Sequence, residues 1–586
     1  MRRHGLRLVG RPATSRTGTL GGAGCWPTLV SSPSVGSGRV SQPHHLLYSS
    51  ASRPVGSPFS SFLKEAQQQA AAAAAATPAP SLAPSAATAE ENSSESLPNS
   101  PSSPSSAPVA PGVMLVEESM IPEYDLIVIG SGPAGQKAAI QSSKLGKRVA
   151  LVDDGAWLGG ICLNTGTIPS KTLREAILYL SGFKQRFFYG KSYTAKENWN
   201  FSDLTYRVQS VIKREKEVIM NQITRNHVTH VRGRGSFWDA NTILVSDSHG
   251  TKGKLRGKHI LVACGTRPAH DPNIPCDGKY IFDADQILNL SEMPRNLIVV
   301  GAGVVGIEYA AMLGSLANTQ VTVIDQRPEL LEFVDREIVD NLVFHMREAR
   351  GKFRLGEKVK NVKVDEARKR VIAELESGKR VIGDSLLYAV GRQCNSDSLN
   401  LAAAGLTADA RGRLRVNEHY QTAVPHIYAA GDVIGFPSLA SSSMLQGRLA
   451  VCHMWGQQCA RVQPSLIPYG IYSIPEISMV GQTEHELTKN NIPYEYGIAR
   501  YSEIAKGMMI GDETGGMLKI LFHQETRKVL GVHAIGESAT EIIHIGQAAL
   551  AMGATIDYFT NNVFNFPTFA EAYQVAALDG YNKIMA

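Results

Sequence analysis

Two segments of this chain repeat one pattern, and the repeat restricts the fold more than any other feature. At YDLIVIGSGPAG four consecutive apolar residues, Leu126 to Ile129, run directly into Gly130, Gly132 and Gly135. At NLIVVGAGVVGIEYA the arrangement recurs with Gly301, Gly303 and Gly306. A short, continuous apolar run is the mark of a parallel strand buried on both faces. In the GxGxxG turn that follows, the first glycine permits a tight turn, the second lets the backbone approach a pyrophosphate, and the third lets a helix pack closely on the strand. The diphosphate would sit on unpaired N–H groups at the positive end of that helix. Each unit is completed by a second strand ending in an acid able to accept hydrogen bonds from a ribose: RVALVDD with Asp153, and QVTVIDQRPEL with Asp325. Two complete units predict an α/β chain with two Rossmann-like dinucleotide-binding domains. One bound and one exchangeable nucleotide is the economical reading, since a hydride then passes between two carriers in one protein. Asp325 favours a free 2′-hydroxyl, whereas Arg327 is either a partner for a 2′-phosphate or a solvated surface charge, so NAD and NADP both stay open.

At 586 residues the chain exceeds what one core organises, and several domains are expected. No run approaches the roughly 18 to 20 apolar residues that a membrane span needs, and none is expected. The formal charge of +6 is concentrated in a leader, where seven arginines precede the first acidic residue, Glu65; nucleic acid is therefore not an expected partner. Arg3, Arg7 and Arg11 would share one face of a helix opposite Leu6 and Val9. A basic, Ser-rich, acid-free segment of this kind predicts a transit peptide, with a mitochondrial location first, plastid second, and cytoplasm if the segment does not target. From 66 to 112 the chain is Gln, Ala, Pro and Ser, too poor in apolar side chains to offset the entropy of ordering. Residues 1–120 are accordingly set outside the fold. Seven cysteines without a framework spacing argue against a disulfide-stapled secreted protein and for a reducing compartment.

GGICLNTGTIPSKTL, at 159–173, resembles the pyridine nucleotide-disulfide oxidoreductases, the family of glutathione reductase and dihydrolipoamide dehydrogenase. The resemblance extends from about Tyr124 to the C-terminus. That family carries two cysteines here, forming a redox disulfide beside a flavin. This chain keeps Cys162 but has Thr167 at the second position, and a hydroxyl can form neither a disulfide nor a thiolate. IYAAGD, with Asp432, resembles the second flavin motif, whose acid contacts the ribitol chain, and ACGTRP around Gly265 resembles its strand-turn partner; both imply FAD. Near the C-terminus the family has a His-Pro-Thr motif whose histidine protonates a thiolate. Here FNFPTFAEAY places Phe566 there, followed by Pro567, Thr568 and Glu571, and phenylalanine has no proton to exchange.

The two losses together resemble the branch of soluble pyridine nucleotide transhydrogenases. That resemblance implies hydride transfer between NADPH and NAD through FAD by a ping-pong mechanism, with no redox disulfide. It places Lys171 near flavin N5, paired with Glu308, and makes Cys162 a packing residue. It further implies an FAD domain at 121–280 with a return segment at 400–465, an NAD(P) domain at 281–399, and an α+β domain at 466–586 through which a homodimer forms. No cluster has metal-ligand spacing, and His533 and His544 read as structural. The competing readings are an NAD(P)H oxidase or quinone reductase and a non-enzymatic, flavin-stabilised scaffold.

Overall fold

The computed structural model describes residues 121–182, 189, 200–459, 463–512 and 515–585. The transit-peptide and low-complexity readings of 1–120 lie outside the described residues.

Both apolar runs become central parallel strands. Glu123–Ile129 lies between Val149–Asp153 and Gly250–Val262, with Thr229–Arg232 at one edge and the antiparallel pair Thr242–Asp247 and Arg234–Phe237 at the other. Its side chains alternate between two cores: Leu126 and Val128 face one, and Tyr124, Ile127 and Ile129 face the other. Burial on both faces is why the run carries no polar residue in its middle. Helices Pro133–Lys144 and Ala440–Met454 pack against each other beside this sheet. The strand Ile427–Ala429, distant in sequence, closes it by pairing with Gly250–Val262.

The second unit repeats this logic. Asn296–Val300 is central in a five-stranded parallel sheet ordered Lys352–Leu355, Gln320–Asp325, Asn296–Val300, Ser385–Tyr388, Ile281–Asp283. Leu297 and Val299 face one core, and Ile298 and Val300 the other. A three-stranded antiparallel sheet, Val359–Asp365, Arg370–Leu375 and Arg380–Gly383, is inserted before Ser385–Tyr388. The C-terminal part is an antiparallel five-stranded sheet from Tyr469–Ile471 to Val529–Ile535, packed against helices Ala539–Ala551 and Glu571–Met585. The expected class, two dinucleotide-binding units and a C-terminal α+β domain, is the observed one. Among the described residues no helix is long and apolar enough to cross a membrane.

One buried ion cluster ties the second unit to the C-terminal sheet. Lys519, on strand Met517–His523, places its ammonium 3.1 Å from Asp335 Oδ1 and 3.1 Å from Glu337 Oε2, and also meets Glu484. Asp335 caps helix Arg336–Glu348 by accepting from the Glu337 N–H at 3.2 Å. The lysine side chain is 2% exposed and that of Asp335 1%, so the ammonium fills the centre that three carboxylates would otherwise leave uncompensated. Removing one partner of a buried pair costs roughly 3 to 5 kcal/mol, because the other charge stays buried. Lys519→Met is expected to destabilise the protein by about 3 kcal/mol or more, read as a lowered urea midpoint.

Candidate functional site

The three glycines of each turn meet different surroundings, and the difference is the same in both units. Gly130 has φ +104° and Gly301 φ +106°, and a methyl group on either would overlap the carbonyl oxygen of Ala263 or Ala389, just past the end of the neighbouring strand. Such backbone and such contact admit only glycine. At Gly135 and Gly306 a Cβ would overlap the carbonyl of Gly130 or Gly301, which fixes the helix against its own strand. Gly132 and Gly303, the N-caps of their helices, have ordinary extended backbone, with φ of −63° and −78°. A Cβ there meets no atom within 4 Å. The middle glycines thus face open space at a helix N-terminus, the cradle a diphosphate requires.

Around the first turn the structure gathers residues from four stretches of sequence. Gly130, Gly132, Asp153, Cys162, Thr167, Gly265 and Asp432 all line one cleft. Asp153 is buried, and its Oδ2 accepts the Ser131 hydroxyl at 2.5 Å while Oδ1 accepts the Gly155 N–H at 2.8 Å. Burial pushes the Cys162 thiol up, opposed by a hydrogen bond with Thr167, so the sulfur is held as a thiol next to the hydroxyl that replaces a second cysteine. Asp432, in the same cleft, is also raised by burial; Arg392 and the Thr266 hydroxyl, 3.4 Å away, act in the opposite direction. A cleft that combines the open glycine turn with Asp153 and Asp432 offers acceptors of the kind FAD needs.

In the second unit Asp325 Oδ2 accepts the Ala302 N–H at 2.6 Å, which locks the acid onto the glycine turn. Arg327 folds back on it, with Nε 3.1 Å from Oδ1 and Nη2 2.9 Å from Oδ2. Burial works to raise the Asp325 carboxyl, but the Arg327 and backbone hydrogen bonds outweigh it and hold it below the usual carboxylate range. Arg327, 41% exposed, is thus ion-paired with Asp325.

The two units and the C-terminal domain meet at one carboxylate. Glu308, on helix Val304–Gly314, receives Lys171 Nζ at 2.7 Å on Oε2 and the Tyr472 N–H at 2.9 Å on Oε1. Lys171, on helix Thr167–Ser181, also lies 4.9 Å from the centre of the Tyr472 ring. The lysine side chain is 25% exposed and that of Glu308 5%, so the cation has an open side and its partner does not.

Two neighbours of the site are absent from the sequence reading. Ser131 orients Asp153. Arg392 donates to Thr266 Oγ1 at 2.8 Å and lies 3.7 Å from Asp285, joining the first cleft to the second unit. A signal for Arg392 existed: AVGRQ follows strand Ser385–Tyr388 as ACGTRP follows Gly250–Val262, and the two turns pair as antiparallel strands. Phe566 lies apart from the cleft of its own chain, 72% exposed, and Glu571 Oε2 is buried with no hydrogen-bond partner among the described residues.

Residues 124–447 match the pyridine nucleotide-disulphide oxidoreductases, and 467–577 match the dimerisation domain of that family. The chain belongs to this family. Family members are FAD-containing oxidoreductases that use NAD or NADP, and this chain is such an enzyme, equipped with the family's dimerisation domain. It is 51% identical over 465 residues, 79% of its length and 98% of the relative's, to the soluble pyridine nucleotide transhydrogenase of Mycobacterium bovis (strain BCG / Pasteur 1173P2). It is 43% identical to the enzyme of the same name from Colwellia psychrerythraea, covering 79% of this chain and 99% of the relative. The fold is shared with LpdA from Mycobacterium tuberculosis at a TM-score of 0.72 and 23% identity, covering 80% of this chain and all of that one. It is also shared with the flavoprotein disulfide reductase RclA from Escherichia coli at 0.69 and 24%, covering 78% and 99%. These relatives correct one expectation. The mitochondrial location inferred from the arginine-rich leader is overturned, because the named relatives are bacterial proteins described as soluble, and bacteria have no such organelle. The physical reason for the error is that Arg spacing and absence of acid describe a charge pattern, which a non-targeting leader can share.

The open middle glycines give a separable test. Gly132→Val should leave the melting temperature within a few degrees but yield protein depleted of FAD. Gly303→Val should stay yellow and raise KM for pyridine nucleotide by about tenfold or more, equivalent to ~1.4 kcal/mol. Absorbance at the flavin band and steady-state kinetics check both.

Proposed function

We propose that this chain is an NAD(P) transhydrogenase that moves hydride between NADPH and NAD by a ping-pong mechanism at one nucleotide site, without a redox disulfide. The observation that carries this reading is the contrast at one helix: Thr167 stands beside Cys162 where a dithiol would need sulfur, yet four residues on the helix presents Lys171 paired with Glu308. FAD, when bound, supplies the centre that takes up and returns the hydride. The residues of the chain bind, orient and stabilise. Gly130, Gly132 and Gly135 cradle the FAD diphosphate, Asp153 accepts from its ribose, Gly265 lets the strand end pass close, and Asp432 meets the ribitol chain. Gly301, Gly303 and Gly306 do the same for NAD or NADP.

Lys171 holds a positive charge where negative charge develops on hydride transfer, and Glu308 fixes its position from a buried site. Fixed charge of this kind acts without reorganisation at the moment of reaction, while stacking the two rings supplies proximity. No side chain has to exchange a proton with a substrate, which accords with Phe566 in place of a histidine. We assign 121–280 and 400–465 to the FAD domain, 281–399 to the NAD(P) domain, and 466–586 to the homodimer contact. For nucleotide choice, Asp325 takes the free ribose hydroxyl of NAD, and Arg327 leaves Asp325 to meet the 2′-phosphate of NADP.

The test is anaerobic mixing of the FAD-loaded protein with NADPH and a thio-analogue of NAD, with no disulfide substrate present. Reduced analogue should accumulate, Cys162→Ala should keep at least half the rate, and Lys171→Met should lose roughly 100-fold. Flavin bleaching by NADPH without reduction of the analogue would overturn the proposal in favour of an oxygen or quinone acceptor. Arg327→Ala should raise KM for NADPH about tenfold and leave that for NADH little changed, as measured by initial rates.

A further inference from the structure

The chain lacks a partner sulfur for Cys162, yet it carries a disulfide elsewhere. Cys452 and Cys459 are joined, with their Cα atoms 6.1 Å apart and a sequence separation of 7. Among the described residues the other cysteines, Cys162, Cys264, Cys276 and Cys394, are free. Burial raises all four thiols, to about 12 for Cys264 and about 11 for Cys276 and Cys394, which leaves them poor nucleophiles at neutral pH. A single short-range bridge in a chain without a disulfide framework does not resemble the staples of secreted domains.

The bridge sits on the helix that walls the first cleft. At the start of helix Ala440–Met454, Ala440 and Ser443 line the cleft. One turn on, Gln446 Oε1 accepts the Gly431 N–H at 2.9 Å beside Asp432. Gly447 lies so close to the Ala134 carbonyl, just past the first glycine turn, that a Cβ would overlap it. At the other end Trp455 Nε1 donates to Ser142 Oγ at 3.2 Å, on the helix that starts at that turn, and Lys147 sits 4.6 Å above the indole. Beyond Trp455 the chain turns at Gly456, whose φ is +62°, and the Gln457 N–H returns to the Cys452 carbonyl at 2.7 Å. The disulfide closes this loop over the Trp455 anchor.

We propose that Cys452 and Cys459 form a reversible thiol–disulfide site which exchanges with dithiols and small-molecule disulfides, and that its closure steadies the cleft-lining helix and retains FAD. Cys459 is half-buried and Cys452 is 2% exposed, so attack comes at Cys459. A dithiol attacks the Cys459 sulfur as its thiolate; the S–S bond breaks, and Cys452 leaves as a thiolate that takes up a proton. The second thiol of the reductant then displaces Cys459, which is protonated, and the reductant departs as its own disulfide, having delivered two electrons. The reverse consumes one oxidised glutathione and releases two molecules of the thiol. Exchange of this type follows access and thiolate chemistry at the sulfur attacked.

FAD-loaded full-length protein would be equilibrated across ratios of reduced to oxidised dithiothreitol, alkylated with iodoacetamide, fully reduced, labelled with N-ethylmaleimide and mapped by mass spectrometry. The peptides bearing Cys452 and Cys459 should switch label together in one two-electron transition while the protein stays folded by circular dichroism. On dilution the reduced form should release FAD severalfold faster than the oxidised form, and a Cys452→Ser, Cys459→Ser variant should match the reduced form at every ratio. The single variant Cys459→Ser gives the same comparison if the double variant does not fold. Three results would each overturn the proposal: iodoacetamide labelling of either cysteine in the oxidised protein, a bridge that opens only on unfolding, and equal FAD release from the two forms.

Discussion

Both oxygens of Glu308 are committed, one to the Lys171 ammonium and one to the Tyr472 N–H. Through that single buried carboxylate, a helix of the second nucleotide unit is tied to the helix that begins at Thr167 and to the turn that opens the C-terminal sheet. A buried acid with two charge-assisted or backbone partners is stable as an anion, whereas either partner alone would leave a lone pair unsatisfied in a low-dielectric setting. The position of Lys171 is thus set largely by the packing of separate parts of the chain. On its own helix the ammonium meets the neutral Ser170 hydroxyl at 3.2 Å, whereas the charged partner comes from the second unit.

The two glycine turns are alike to the level of individual carbonyl contacts, yet the acids that follow them are used differently. Asp153 is turned inward by Ser131, a neutral donor on the turn itself. Asp325 bonds to the turn through a backbone N–H and carries Arg327 on its outer side. A neutral donor leaves a ribose site with fixed character. A charged donor that can detach leaves one able to respond to the presence of a phosphate. The two units differ in this one neighbour more than in the turn.

Thr167 and Phe566 stand where the family resemblance implies a second cysteine and a histidine, while both glycine turns and the Lys171–Glu308 pair are present. Thiol chemistry needs a titratable sulfur and a proton donor; hydride transfer between stacked rings needs neither. The bridge between Cys452 and Cys459 sits at the far end of the cleft-lining helix Ala440–Met454 from Ala440 and Ser443, which line the cleft.

The sequence by itself determined the two nucleotide units. Four-residue apolar runs, glycine spacing and a following acid are local requirements, set by strand burial on two faces and by backbone that tolerates no Cβ, and they are legible wherever they occur. Cys162, Thr167 and Asp432 were legible as motifs, and the cleft that joins them to Gly130 and Asp153 needed only those motifs to be folded around one sheet. What the tertiary structure decided was the relations between distant groups: that Arg392 reaches Thr266 and Asp285, and that Lys519 fills a cluster of carboxylates of which two, Asp335 and Glu337, come from the second nucleotide unit. Charge pattern alone misled at the leader, where a row of arginines has many physical meanings. Long-range ion pairs depend on which buried surfaces meet, and no spacing within one element records that.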